Sequence, residues 1–222
     1  MDSAILSATE QRVLGSLVEK QVTTPDYYPL SLNALTNACN QSSNREPVVS
    51  FDETAVVRAL NLLREKKLAY LFDGAQSRVP RYGHKFAEVF ELAPPETAIL
   101  CELMLRGPQT VGELRGRASR MHAFEALSEV EGVLEGLATR SPKPLVVKLA
   151  RQSGMKECRY AHLLGGEVRV EPVKLAPRPE TATIAVRVED GRIGRLEAEV
   201  ADLRQELGDV RDQLARFRQQ FE

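Results

Sequence analysis

The chain has 222 residues, of which 43% are hydrophobic and 27% charged, with a net charge of -1. That balance belongs to a folded globular protein and excludes a disordered or collagen-like chain, while the lack of any apolar run of ~18 residues excludes a membrane span. A pI of about 6.4 excludes a globally basic nucleic-acid binder, so such a role would need a local patch.

The start, Met1-Asp2-Ser3, lacks the basic region of a signal peptide, and Cys39, Cys101 and Cys158 are odd in number and far apart. Both features predict a cytoplasmic protein with reduced thiols.

Ser7-Ala8-Thr9-Glu10 is a capping box, and Val13, Leu14, Leu17 and Val18 follow at helical spacing, which predicts a first helix ending near Lys20. Two prolines then mark a loop from Thr23 to Pro29. Leu32, Leu35 and Ala38 form a short second helix, closed by the polar run from Asn40 to Asn44. Ser50 with Glu53 predicts the start of a third helix, whose apolar stripe is Val56, Ala59, Leu60 and Leu63. Leu68 to Phe72 and Arg78 to Tyr82 read as the strands of a hairpin. Three helices and a hairpin in this order describe a winged helix-turn-helix.

The order then returns. Ile99, Leu100 and Leu103 correspond to Val13, Leu14 and Leu17. Thr110 with Glu113 caps a short helix, and Ser128 with Glu131 is expected to cap the next, whose stripe is Val130, Val133, Leu134 and Leu137. Leu145 to Leu149 and Arg159 to Leu163 predict a second hairpin. Lys85 to Leu92 reads as a helical connector.

Gly165 to Val188 holds Pro172, Pro177 and Pro179 and reads as an extended linker. Beyond it Ile193, Leu196, Val200, Leu203, Leu207, Val210, Leu214, Phe217 and Phe221 alternate three and four apart, the seam of a coiled coil. In a parallel pair the flanking positions match Arg192 with Glu197, Glu199 with Arg204, Glu206 with Arg211 and Gln213 with Arg218, and none of these repels. A parallel homodimer is expected; the alternative, a helix folding back onto its own domains, needs a broader apolar stripe than this seam offers.

The predicted fold class is therefore mainly α with small β-hairpins (α+β). Its parts are a winged-helix domain with connector at 1–92, a second winged-helix domain at 93–164, a linker at 165–188 and a coiled-coil helix at 189–222.

The stretch Tyr28-Pro-Leu-Ser-Leu-Asn-Ala-Leu-Thr-Asn-Ala-Cys-Asn-Gln-Ser-Ser-Asn-Arg-Glu-Pro-Val48, with Arg78-Val-Pro-Arg-Tyr82 and the repeat, resembles the bacterial YceH family over Ser7 to about Leu164. The resemblance implies a tandem winged-helix architecture and a bacterial cytoplasmic protein. It implies no catalytic residues.

Enzyme signatures are weak. Gly107 to Gly112 has the glycine spacing of a phosphate-binding loop, but Glu113 and Leu114 stand where lysine and a hydroxyl are needed. Cys158 and His162 share one strand face without a second ligand pair, and His84 and His122 show no nucleophile at an informative spacing. The expectation is no catalytic residue, no metal and no cofactor.

Winged helices usually meet DNA through the third helix and the hairpin. In the first unit this gives Arg58, Asn61 and Arg64 on the helix, Arg78, Arg81, His84 and Lys85 at the wing, and Arg45 in the loop before the helix. Asn40, Gln41 and Asn44 either join them on bases and phosphates or cap the second helix and tie the loop to its own backbone. Asp52 and Glu53 oppose the reading, as do Glu129, Glu131 and Glu135 on the third helix of the second unit.

Two functions remain: a non-enzymatic, dimeric, DNA-binding regulatory protein, or an interaction adaptor that binds other proteins and no nucleic acid. Candidate partners are a second copy, duplex DNA and other proteins, with no membrane role.

Overall fold

The computed structural model describes residues 5–72, 79–151, 155 and 157–166. Arg78, nearly all of the predicted linker and the whole heptad segment lie outside these.

Helix α1 (Ala8–Thr23) begins at the expected capping box: the Ser7 hydroxyl accepts from the Glu10 amide, and the Glu10 carboxylate accepts from the Ser7 amide at 2.8 Å. It runs three residues beyond Lys20, where Thr23 and Thr24 return their hydroxyls to carbonyls one turn back. A short 3-10 turn (Pro25–Tyr27) leads into β1 (Leu30–Ser31) and α2 (Leu32–Cys39), with Ser31 as N-cap. Helix α3 (Glu53–Glu65) buries Val56, Ala59, Leu60 and Leu63, the predicted stripe. Its N-cap is Asp52, not Ser50, because the Asp52 carboxylate accepts from the Ala55 amide at 2.8 Å. Strands β2 (Ala69–Phe72) and β3 (Arg81–His84) complete the first half. The closing strand therefore starts three residues later than Arg78.

After the short α4 (Phe86–Val89), the same order of elements recurs as α5 (Pro94–Arg106), α6 (Val111–Ala118), α7 (Leu127–Thr139), β4 (Val146–Lys148) and β5 (Tyr160–His162). The Thr110 and Glu113 box is present. The expected Ser128 box is not: Ala126 is the N-cap of α7, and the Glu129 carboxylate instead accepts from the Glu125 amide at 3.0 Å.

The first sheet is antiparallel in the order β1-β3-β2, with Leu30 and Leu71 both opposite Tyr82. The second pairs β4 with β5, and the place of a third strand is held by Gln109, which exchanges two backbone hydrogen bonds with Tyr160. The closing strands match in sequence as well, Arg81-Tyr-Gly-His84 and Arg159-Tyr-Ala-His162. The protein is thus mixed α+β, with helices predominating over two small antiparallel sheets.

One core runs through both halves because α1 lies against α5. Gly15 sits at the crossing. A Cβ there would stand 3.0 Å from Leu105, and the Cys101 thiol donates to the Gly15 carbonyl at 3.3 Å. The Leu6 amide bonds the Leu164 carbonyl at 2.8 Å, joining the beginning of one half to the end of the other. No described helix is long and apolar enough to cross a membrane.

Candidate nucleic-acid interface

The segment between α2 and α3 runs over the surface, with Ser42, Ser43 and 46–48 exposed, but it is fastened from beneath by arginines. Arg12 of α1 donates to the Cys39 carbonyl at 3.2 Å and to the Pro47 carbonyl at 2.6 Å. Arg45, 5% exposed, donates to the Ala38 carbonyl, to Gln41 and to both oxygens of Glu19. Asn40 gives and receives one 2.8 Å hydrogen bond with the Phe51 backbone. Asn44 adopts a left-handed φ of 59°, which Asn tolerates, and its side-chain oxygen accepts from Arg106 of α5. The Glu46 amide then donates to the Leu105 carbonyl at 2.9 Å.

Four of the residues read from the sequence as a binding loop are therefore internal fasteners. Arg45 is corrected from a surface cation to a buried one, while half-buried Asn40 holds the loop's own backbone, Gln41 accepts from Arg45 and Asn44 docks the loop on α5.

The same dock contains a network that local sequence reading missed. Glu19 and Glu102 are both fully buried, and Arg120 from the turn after α6 reaches both, Glu102 at 3.2 Å. Arg106 Nε stands 3.2 Å from Glu102. Burial opposes ionisation of Glu19, but the Arg45 hydrogen bond and the charges of Arg45 and Arg120 prevail and hold its pKa below the ordinary carboxylate value. For Glu102 burial wins over Arg120 and Arg106, and the pKa is raised. The available signal was a lone carboxylate inside an apolar run, Ile99-Leu-Cys-Glu-Leu-Met-Leu105. A buried acid at that place requires a cation, and α5 supplies only Arg106.

His84 also leaves the surface. It is 6% exposed, its Nδ1 accepts from the Phe86 amide at 3.1 Å, and burial lowers its pKa to about 4. Its own amide donates to the Tyr28 hydroxyl at 2.7 Å, which makes Tyr28 a packing residue. His162, its counterpart on β5, is likewise lowered to about 4 by burial.

The other described candidates lie at the surface. Arg58, Asn61 and Arg64 lie three apart on the exposed face of α3, and none of their side chains has a hydrogen bond or ion pair among the described residues. The Lys85 amide donates to the Leu68 carbonyl at 2.9 Å, which sets exposed Lys85 beside the turn that ends α3. Arg81 is exposed too, with one nitrogen 3.1 Å from the Pro29 carbonyl. Across from it in register stands Phe72, 46% exposed. Tyr70 lies over Gly83, where a Cβ would come within 2.3 Å of its ring. This cationic strip is the candidate interface. In the second half, α7 presents Glu129, Glu131 and Glu135 and no cation before Arg140. Among the described residues no group of three or more His, Cys, Asp or Glu side chains is placed to hold a metal ion.

A family model described as a protein of unknown function, DUF480, matches residues 6–155. A UPF0502 protein of Opitutus terrae is 57% identical over 200 residues, covering 90% of this chain and 84% of that one. UPF0502 proteins of Geotalea uraniireducens and Pelobacter propionicus are each 54% identical, over 217 and 219 residues, and cover 98% of this chain. They span 98% and 99% of their own lengths, so the similarity continues past residue 155.

Proposed function

The chain belongs to the DUF480, or UPF0502, family of bacterial proteins of unknown function, and from that premise we propose that it is a non-enzymatic DNA-binding regulatory protein. In this reading each half is a winged helix, as in the YceH family it resembles, and 193–221 pairs two copies in parallel in the cytoplasm. Duplex DNA lies against the first half.

The observation that carries the reading is the unpaired strip Arg58, Asn61 and Arg64 with Lys85 at its end. Guanidinium and ammonium groups that no carboxylate among the described residues engages suit phosphates, and an amide between them suits a base edge. Asp52, at the other end of α3, spends one oxygen on its helix cap and weakens the repulsion there only partly. The contacts therefore centre on the second half of α3 and on the hairpin.

The test is anisotropy with mixed-sequence duplex across a salt series. Log affinity should fall against log salt with a slope of about -0.9 per phosphate neutralised. Arg58→Ala with Arg64→Ala should flatten that slope on every sequence, whereas Asn61→Ala should matter only on a preferred site. No binding to any duplex at low salt would transfer the reading to its rival, a protein-binding adaptor. That rival is favoured by one observation, the acidic face of α7.

A further inference from the structure

The second half carries an open groove of about 690 Å³, built from the start of α5, the loop 122–125 and one side of α7. Its floor is apolar: Pro95, Phe124 and Val133 line it, with the His122 ring edge-on to Phe124 at 4.7 Å. The charged residues that line it are Glu96, Glu125 and Glu129, with no lysine or arginine. Glu96 is engaged by Arg140 at 3.8 Å, and one oxygen of Glu129 caps the Glu125 amide. The Glu125 carboxylate has no described partner. Arg115 donates to the carbonyls of Phe124 and Glu125. From Glu125 to Thr139 the chain has four glutamates and no basic residue.

The wall of this groove is made of glycine. Gly132 and Gly136 stand one turn apart, and a Cβ at either would meet no atom within 4 Å. Each glycine inside a helix costs about 1 kcal/mol relative to alanine, and here no contact within the described chain requires it. Small residues at this spacing let another helix approach closely along about 6 Å of α7. An apolar floor, a bare helix wall and a rim of carboxylates suit an occupant that is itself apolar on one side and cationic on the other.

We propose that this groove docks a basic amphipathic helix of a partner protein. Its apolar side chains would lie on Phe124 and Val133, its backbone against Gly132 and Gly136, and its lysines or arginines against Glu125 and Glu129. DNA is repelled from the same face, so the site adds a protein partner to the nucleic-acid surface of the first half and stands independently of it.

The probe is a labelled synthetic 18-residue helix with leucines at i, i+3, i+4 and i+7 and lysines elsewhere, together with a twin bearing glutamate for lysine. Both are titrated against the full chain. The lysine peptide should saturate at micromolar concentration and bind at least tenfold tighter than its twin. Gly136→Leu fills the wall and should abolish binding while helical circular dichroism is kept or increased, and Glu125→Gln should weaken binding several-fold. Equal binding of both peptides, binding unaffected by Gly136→Leu, or no saturable binding would overturn the proposal. A change of sedimentation mass in Gly136→Leu would overturn it too, by making a second copy the occupant.

Discussion

Glu19 and Arg45 lose their water together, and each is tolerable only because the other is there. Both side chains are fully buried, joined by two charge-assisted hydrogen bonds, with Arg120 completing the set. A pair of this kind adds little over a well-packed apolar pair, yet removing one member leaves an uncompensated ion. Glu19→Gln should therefore cost about 3–5 kcal/mol in urea unfolding. The double variant Glu19→Leu with Arg45→Met should recover a large part of that loss. If the single change cost under about 1 kcal/mol, the network would not be the joint between the halves that its geometry indicates. The same pair explains why Arg45 reads as a surface residue in the sequence. Its carboxylate lies 26 positions earlier, beyond any local pattern, and an arginine next to five polar residues has the composition of a binding loop.

At the scale of elements, the two hairpins repeat a chemical detail as well as a shape. Each closing strand ends in a histidine whose pKa is lowered by desolvation to about 4, buried His84 on β3 and half-buried His162 on β5. Both favour the neutral ring in the folded chain, while in the unfolded chain they titrate near 6.5. Their contribution is complete above pH 6.5 and is lost as pH falls toward 4. By pH 5 the loss should be about 2 kcal/mol per histidine, read from urea unfolding between pH 7 and pH 5. His84→Gln cannot charge, so it should remove one share of that slope whatever its stability at pH 7; an unchanged slope would mean that the ring titrates at an ordinary value. The periodic elements were legible in advance. The stripes of α1, α3 and α7 and the box before α6 appear in the letters because burial of one face dictates them. Strand β1 was not legible, since two residues cannot show alternation and its place is set by β3, about fifty positions on. Nor was the cap of α7, where an alanine stands and Glu129 reaches back to do the capping.

For the whole molecule, the two halves share a core and differ in charge. The first exposes Arg58 and Arg64 on α3 between Glu53 and Glu65, whereas α7 of the second exposes carboxylates alone, so duplicate architecture need not mean duplicate contacts. A single first half offers few phosphate contacts, and two copies linked through Ile193 to Phe221 would offer twice as many. Leu203→Glu tests that arrangement. It would set two carboxylates in an apolar seam, at a cost of several kcal/mol if they stay ionised, and Leu203 lies far in sequence from every residue of the DNA strip. Wild type should sediment as a dimer at micromolar concentration and the variant as a monomer. On DNA the variant should keep its dependence on Arg58 and Arg64 but show about half the salt slope, because each monomer releases the counterions of one strip. Equal mass for the two proteins would remove the seam from the account. A halved mass with an unchanged slope would mean that one copy alone engages the duplex and that the second is held for another purpose.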